Sequence, residues 1–257
     1  MKIQTSLPPA PLHAQLKRLG PWFYEFEFSN GVRTESSGDN DVLAIHESRA
    51  RCILPYLDRH FEGRWQNISC LDVACHEGWF ALQVAQRGAR FVRGIDLRPE
   101  RIQRANLIRE AGGFSNVIFE VKDLFALDPP REGTFDLVLF LGIFYHLEDI
   151  VRGFRLARAL TREVCVVEGQ VARHSGEIET AWGKQTQIRS GPACVVIESD
   201  PEHARPGAAL SLVPSLPALQ RIVRGAGFER IELVEPTPSL HEQYRNFDRV
   251  LLFAFAG

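Results

Sequence analysis

Residues 71–78 read LDVACHEG, and Asp96 closes the run FVRGID twenty-four positions after Asp72. The apolar run 68–73 ends in two small residues, Ala74 and Cys75, and passes through Gly78 into a helical pattern, which predicts strand, tight turn and helix. Small groups in such a turn let the backbone approach a ligand closely. A second strand over 91–95 sets Asp96 near a C-terminal strand end, where two acceptor oxygens can take both hydroxyls of a ribose. A dinucleotide site would require GxGxxG here. Ala74, His76 and the lack of a third glycine at that spacing argue against a pyrophosphate cradle. What remains is an adenosine cofactor without a phosphate chain, for which S-adenosylmethionine is the obvious candidate.

Several elements must position that site. Segment 7–11 is proline-rich and reads as an arm. Trp22, Tyr24, Phe26 and Phe28 alternate with Phe23, Glu25 and Glu27, and Ser29, Asn30 and Gly31 supply a turn, so 22–35 reads as a β-hairpin. Residues 42–56 have a helical pattern. Beyond Asp96 come a helix from Pro99 to Ala111 stopped by Gly112 and Gly113, a strand over 117–121 leading to Asp123, and the strongly apolar strand FDLVLFL over 135–141. GIFYHLED follows, then a helix through Leu160 and a strand over 164–168. Residues 169–212 show little periodicity and read as a substrate cap. Ser215 is placed as an N-cap, with Pro217 in the first turn, Leu219, Ile222, Val223 and Ala226 on one face, and Gly227 as the stop. Strands over 231–234 and 250–255 finish the chain as an antiparallel pair. The alternation predicts an α/β, Rossmann-like, seven-stranded, mostly parallel sheet with helices on both faces. Residues 1–66 are expected to form an N-terminal arm, hairpin and helix, and 67–257 the core with a cap insertion at 169–212.

Bulk properties narrow the class. A formal charge of −2 and a pI near 6.5 give no global attraction to nucleic acid. The five cysteines are odd in number and show no CxxC pair, so neither a disulfide framework nor a metal site is indicated. The N-terminus lacks an apolar h-region and no run reaches the eighteen apolar residues of a membrane span. A soluble, unprocessed cytoplasmic protein is expected.

LDVACHEG, GID ending at Asp96, KDL at 122–124 and FDLVLFLGIFYHL together resemble the class I S-adenosylmethionine-dependent methyltransferases, over roughly residue 71 to the C-terminus. More narrowly, GIFYHLED, the strand ending VVEGQ and VPSLPALQRIVRGAGF resemble the bacterial tRNA wobble-uridine carboxymethyltransferases and their uncharacterised relatives. The resemblance implies that Asp72, Ala74, Cys75 and Gly78 lie around the methionine part of the cofactor. It puts Asp96 and Leu97 at the ribose, Asp123 and Leu124 at the adenine, and Leu141 and Gly142 beside the sulfonium. The competing role for Asp72 is structural, capping the loop, and His76 and Glu77 read as altered side chains in a tight turn.

Tyr145 and His146 follow the fourth strand at the sheet edge where ligands bind in open α/β folds, and they are the candidates for the acceptor site. His146 is the best-placed base, with a backbone-bonded structural histidine as its competing role. Glu168 either orients an acceptor or caps the next segment. Trp182, Lys184 and Gln185 are candidate substrate contacts in the cap. In the carboxymethyltransferases the cofactor's extra carboxylate is held, the resemblance implies, by basic residues and the tyrosine of the YH motif. Tyr145 and Arg249 match, whereas Leu19 stands where a basic residue precedes the Gly-Pro pair. Ordinary S-adenosylmethionine is therefore expected, with methyl transfer to an oxygen or nitrogen of a small molecule. A tRNA-modifying enzyme and a non-catalytic cofactor-binding domain are the alternatives.

Overall fold

The computed structural model describes residues 1–172, 192–199 and 207–257 in full, and 175–180 and 183–188 as backbone. The chain forms two compact units, Met1–Leu139 and Phe140–Gly257. Seven strands make the central sheet: β1 (Ser69–Val73), β2 (Phe91–Asp96), β3 (Val117–Val121), β4 (Phe135–Leu141), β5 (Thr161–Gln170), β6 (Arg230–Leu233) and β7 (Arg249–Phe255). Their order is β6-β7-β5-β4-β1-β2-β3. β1, β2 and β3 pair in parallel, while β7 runs antiparallel to both neighbours, β6 and β5. The expected mostly parallel sheet with an antiparallel final pair is the observed one.

Burial explains why the strands were readable. All seven residues of β4 are buried, and a strand covered on both faces has no solvent side to leave an alternating pattern. Its one carboxylate, Asp136, is buried but accepts hydrogen bonds from the Ser69 backbone N–H at 2.8 Å and the Ser69 hydroxyl at 2.7 Å. Those bonds offset the cost of burying a charge in β4 and tie its start to β1.

In the first unit, α1 (Pro9–Leu19), α2 (Asn40–His60), α3 (Trp79–Gln86) and α4 (Pro99–Ala111) accompany the strands. α3 packs on β1 and β2, and α4 on β2 and β3. Two expectations need correction here. The segment read as an arm is the start of α1: proline at the first helical position has the right φ and loses no hydrogen bond, and Leu12 and Leu16, four apart, are buried. The hairpin over 22–35 is far shorter than its pattern. The turn at Ser29–Gly31 closes, with Phe28 N–H bonded to the Val32 carbonyl and Thr34 N–H to the Phe26 carbonyl, but only Glu27–Phe28 is regular strand, paired in parallel with Lys2–Ile3. Alternation did report burial, since Trp22, Tyr24, Phe26 and Phe28 are all buried. α2 outruns the predicted helix at both ends; Asp39 caps it by accepting from Val42 N–H, and Ile53, Leu57 and Phe61 are fully buried.

In the second unit, α5 (Ile150–Leu160) is capped by Asp149, and α6 (Leu216–Gly225) by Ser215, whose hydroxyl accepts from Ala218 N–H as expected of an N-cap. The stretch read as unpatterned contains antiparallel pairs, Ser175–Thr180 with Gly183–Ile188 and Cys194–Glu198 with Leu210–Pro214. Every residue of Cys194–Glu198 is exposed, so no buried face imposed the period-two signal. Cys194 is the exposed thiol among five free cysteines; Cys70, Cys75 and Cys165 are buried and Cys52 half-buried. A short helix, Glu242–Arg245, lies between β6 and β7 and was not foreseen. Among the described residues no helix is long and apolar enough to cross a membrane, and no His/Cys/Asp/Glu group could hold a metal ion.

The first unit contains one close approach with a direct test. A Cβ on Gly94 would come within 2.5 Å of the Phe119 ring and 2.9 Å of the Cys75 sulfur. Gly94→Ala is expected to destabilise the protein by about 1–3 kcal/mol through overpacking, lowering the denaturation midpoint at unchanged slope.

Candidate active site

In the first unit, β1 reaches α3 through a five-residue turn, and three of the five have positive φ: Ala74 at +57°, His76 at +53° and Gly78 at +78°. The left-handed region suits glycine; an L side chain pays about 1–2 kcal/mol there, with histidine among the better-tolerated types. This turn is therefore bound down on all sides. Asp72, fully within β1, accepts the Ala81 N–H at 3.1 Å and so satisfies one of the unpaired donors in the first turn of α3. Burial pushes the Asp72 carboxyl up to about 8, against the lowering effect of that N–H. Cys75 N–H donates to the Ile95 carbonyl at 2.9 Å, and His76 N–H to Asp96 Oδ2 at 3.0 Å.

Glu77 provides the remaining hold. It has no solvent exposure, and its carboxylate accepts the Phe23 N–H on both oxygens and the Tyr24 N–H on one, each at 3.0 Å, with Arg104 at 3.4 Å. Burial raises its pKa, while the Tyr24 and Phe23 amides oppose that rise. Hydrogen bonds to a charged group are worth about 1.5–3 kcal/mol each, enough to offset the strain at Ala74 and His76. The His76 ring in turn lies 4.8 Å from Phe23 and 5.5 Å from Tyr24. The turn is tight with altered side chains, and those side chains attach the aromatic segment.

Asp96 ends β2 buried, its Oδ1 accepting Arg98 N–H at 2.9 Å, its Oδ2 the His76 amide, with Arg101 at 3.8 Å. Leu97 beside it is half-buried. Asp123 caps the turn after β3 by accepting Phe125 N–H at 2.9 Å, and Leu124 behind it is buried. β1, β2 and β3 are parallel neighbours, so Asp72, Ala74, Cys75, Gly78, Asp96, Leu97, Asp123 and Leu124 gather along one C-terminal strand edge.

In the second unit, Leu141 ends β4 and Gly142 turns the chain at φ +67°, its N–H bonded to the Glu168 carbonyl at 2.8 Å. The turn carrying Tyr145 and His146 packs so closely on β5 that a Cβ at Gly169 would lie 2.7 Å from both the Phe144 and Tyr145 rings. His146 is half-buried with its ring 4.2 Å from that of Tyr145. Glu168 is fully buried and is the counter-ion of Arg249: Oε1 accepts from Arg249 Nη1 at 2.9 Å and from the Tyr244 hydroxyl at 2.6 Å. Arg249 Nη2 reaches the Tyr145 hydroxyl at 3.3 Å. Burial opposes the charge on Arg249, yet Glu168, Tyr145 and Tyr244 hold its pKa above the ordinary guanidinium value. Arg249 thus joins Glu168 to Tyr145, and His146 lies against the Tyr145 ring. Trp182 and the side chains of Lys184 and Gln185 lie outside the described residues.

Residues 70–163 match the model of a methyltransferase domain. The chain is 32% identical over 99 residues to a ubiquinone biosynthesis O-methyltransferase of Neisseria meningitidis, covering 37% of this chain and 40% of that protein. To norajmaline N-methyltransferase of Rauvolfia serpentina it is 38% identical over 132 residues, covering 51% of this chain and 44% of that protein. The chain thus spans less than half the length of these two relatives. A tRNA U34 carboxymethyltransferase of Pseudomonas putida is 25% identical over 250 residues, covering 86% and 71%. Among solved structures, the N-terminal domain of EvdMO1, crystallised in the presence of SAH and D-fucose, covers 98% of both chains with a TM-score of 0.72 at 22% identity, a likeness of fold.

S-adenosylmethionine is the cofactor that the residues along this strand edge fit. An ionised carboxylate offers about four acceptor positions, so Asp96, with two backbone N–H partners, keeps capacity for two ribose hydroxyls. Leu97, Asp123 and Leu124 are the residues along this edge that could supply an apolar wall and a polar edge to an adenine. The left-handed backbone at Ala74, His76 and Gly78 would let a ligand at this edge meet backbone and not side chains.

Sequence reasoning missed Glu77 as an anchor and missed His46 altogether. His46 sits on the α2 face that also carries Ile53 and Leu57, seven and eleven positions on, and that spacing was its only signal. Its ring lies 4.5 Å from Tyr24 and 4.4 Å from Trp79, and neither ring nitrogen has a hydrogen-bond partner. Burial, with Arg49 adding to it, pushes its pKa down to about 3 from 6.5. A depressed histidine contributes stability that is present above pH 6.5 and lost as the pH falls toward 3. His46→Leu should therefore lose less stability than the parent protein over that interval, measured as denaturation midpoint against pH.

Proposed function

We propose that the chain transfers the methyl group of S-adenosylmethionine to an oxygen or nitrogen of a small-molecule acceptor. The observation that carries this reading is Asp96: a buried carboxylate at the end of β2, fixed by two backbone amides beside a turn kept open by left-handed residues. The O- and N-methyltransferase relatives support the acceptor class. In this reading Asp96 and Leu97 hold the ribose, Asp123 and Leu124 the adenine, and Asp72, Ala74, Cys75 and Gly78 surround the methionine part, with Leu141 and Gly142 beside the sulfur.

The cofactor supplies an electrophilic methyl on a sulfonium. Displacement at that carbon is in line, so alignment and exclusion of water account for most of the acceleration, and a base matters only while the nucleophile carries a proton. His146 takes that role, held by Tyr145, whose hydroxyl is fixed through Arg249 by Glu168. Glu168 acts through Arg249 and not on the acceptor directly.

The alternative is a tRNA wobble-uridine modifying enzyme, favoured by the 86% coverage of this chain by the carboxymethyltransferase relative. Against a carboxymethyl donor stands the charge balance: a basic residue needed for an extra carboxylate would have to be Arg249, which Glu168 already neutralises at 2.9 Å. Against a nucleic-acid substrate stands the net charge of −2. A non-catalytic cofactor-binding domain would bind S-adenosylmethionine and never turn it over.

Calorimetry tests the cofactor assignment: the intact chain binds S-adenosylmethionine, and Asp96→Ala weakens it about tenfold or more by removing a charged acceptor. Binding by Asp96→Ala at parent strength refutes the ribose role. With an acceptor in hand, His146→Ala is expected to lower kcat by about 10²–10⁴ while leaving cofactor affinity intact. Unchanged turnover would leave His146 a packing residue.

A further inference from the structure

Two of the three left-handed positions in the turn after β1 are occupied by residues other than glycine, Ala74 and His76. Nothing in their own backbone favours that shape. The neighbouring Glu77 is fully buried, and two of the partners of its carboxylate come from over fifty residues earlier in the chain, the amides of Phe23 and Tyr24. His76 meanwhile sends its N–H to Asp96 Oδ2 and its ring onto Phe23 and Tyr24. One dipeptide therefore touches the aromatic segment on one side and the ribose carboxylate on the other.

We propose that Glu77 is a positioning residue: it latches the Phe23–Tyr24 segment and thereby holds the Ala74–Gly78 turn in the shape that binds the cofactor, so that latch closure and cofactor binding reinforce each other. This rests on the cofactor reading above. The clamp does here what glycines at positions 74 and 76 would do by removing the steric penalty, and the coupling is reciprocal. If the latched state binds the cofactor more tightly by some factor, the bound cofactor stabilises the latch by that same factor.

The test pairs amide hydrogen exchange at Phe23 and Tyr24 with calorimetry, using S-adenosylhomocysteine as the probe. In the unaltered chain, saturating probe should slow exchange of both amides about tenfold, and Glu77→Gln should weaken probe binding by a similar factor. In a background of Ala74→Gly with His76→Gly, where the turn no longer needs the clamp, the same Glu77→Gln should cost less than about threefold. A purely structural Glu77 predicts otherwise: exchange indifferent to the probe, folded Glu77→Gln binding at parent strength, or an equal loss in the glycine background, and any of these overturns the proposal. If Glu77→Gln does not fold, the exchange comparison on the unaltered chain decides alone. Failure of the unaltered chain to bind the probe at all would refute the cofactor reading and with it the coupling.

Discussion

A backbone that turns left-handed three times in five residues must be held by groups outside the turn whenever the residues are not glycine. In this chain the turn after the first strand is held where Asp72 grips the start of α3, Asp96 grips the His76 amide, and Glu77 grips two amides of the N-terminal segment. All three are buried carboxylates, each expensive to desolvate, and each is satisfied by backbone N–H donors. The geometry of the first unit follows from that arrangement. Phe119 fills the space that side chains at Gly78 and Gly94 would claim, so the apolar packing below the turn depends on the same backbone path.

The second unit solves a similar problem with a side-chain network in place of backbone donors. Glu168 and Arg249 are both buried, and an ion pair in that setting gains little unless the remaining valences are filled. Tyr244, Tyr145 and Gln243 fill several of them. The consequence is orientation: Tyr145 is held through its hydroxyl as well as by the close approach of Gly169, and the His146 ring lies against it at 4.2 Å with a 45° tilt.

The strands of the sheet were legible because they are buried on both faces and bounded by turn residues, FDLVLFL above all. Ser215 and Gly112 announced helix ends through local chemistry alone. Asp96 was legible for a different reason, a carboxylate placed at a fixed distance beyond a strand and turn. What escaped was whatever depends on partners remote in sequence. Glu77 reads as an oddity in a glycine-poor loop until Phe23 and Tyr24 arrive from over fifty residues away. Glu168 looked like a strand-end acid until Arg249 and Tyr244 appeared beside it. The strand Cys194–Glu198 was missed because no face of it is covered, and α1 because its opening prolines read as a spacer when they are well suited to a first helical turn.

That uncovered strand also makes the molecule easy to interrogate. Four of the five thiols are wholly or partly shielded, and partial burial holds even Cys194 above its ordinary pKa. A maleimide dye supplied in modest excess will therefore attach first at Cys194, with a rate that climbs as alkalinity frees the thiolate. The native chain comes with its own preferred anchoring point for a fluorophore or spin label, and half-buried Cys52 is the next thiol to react.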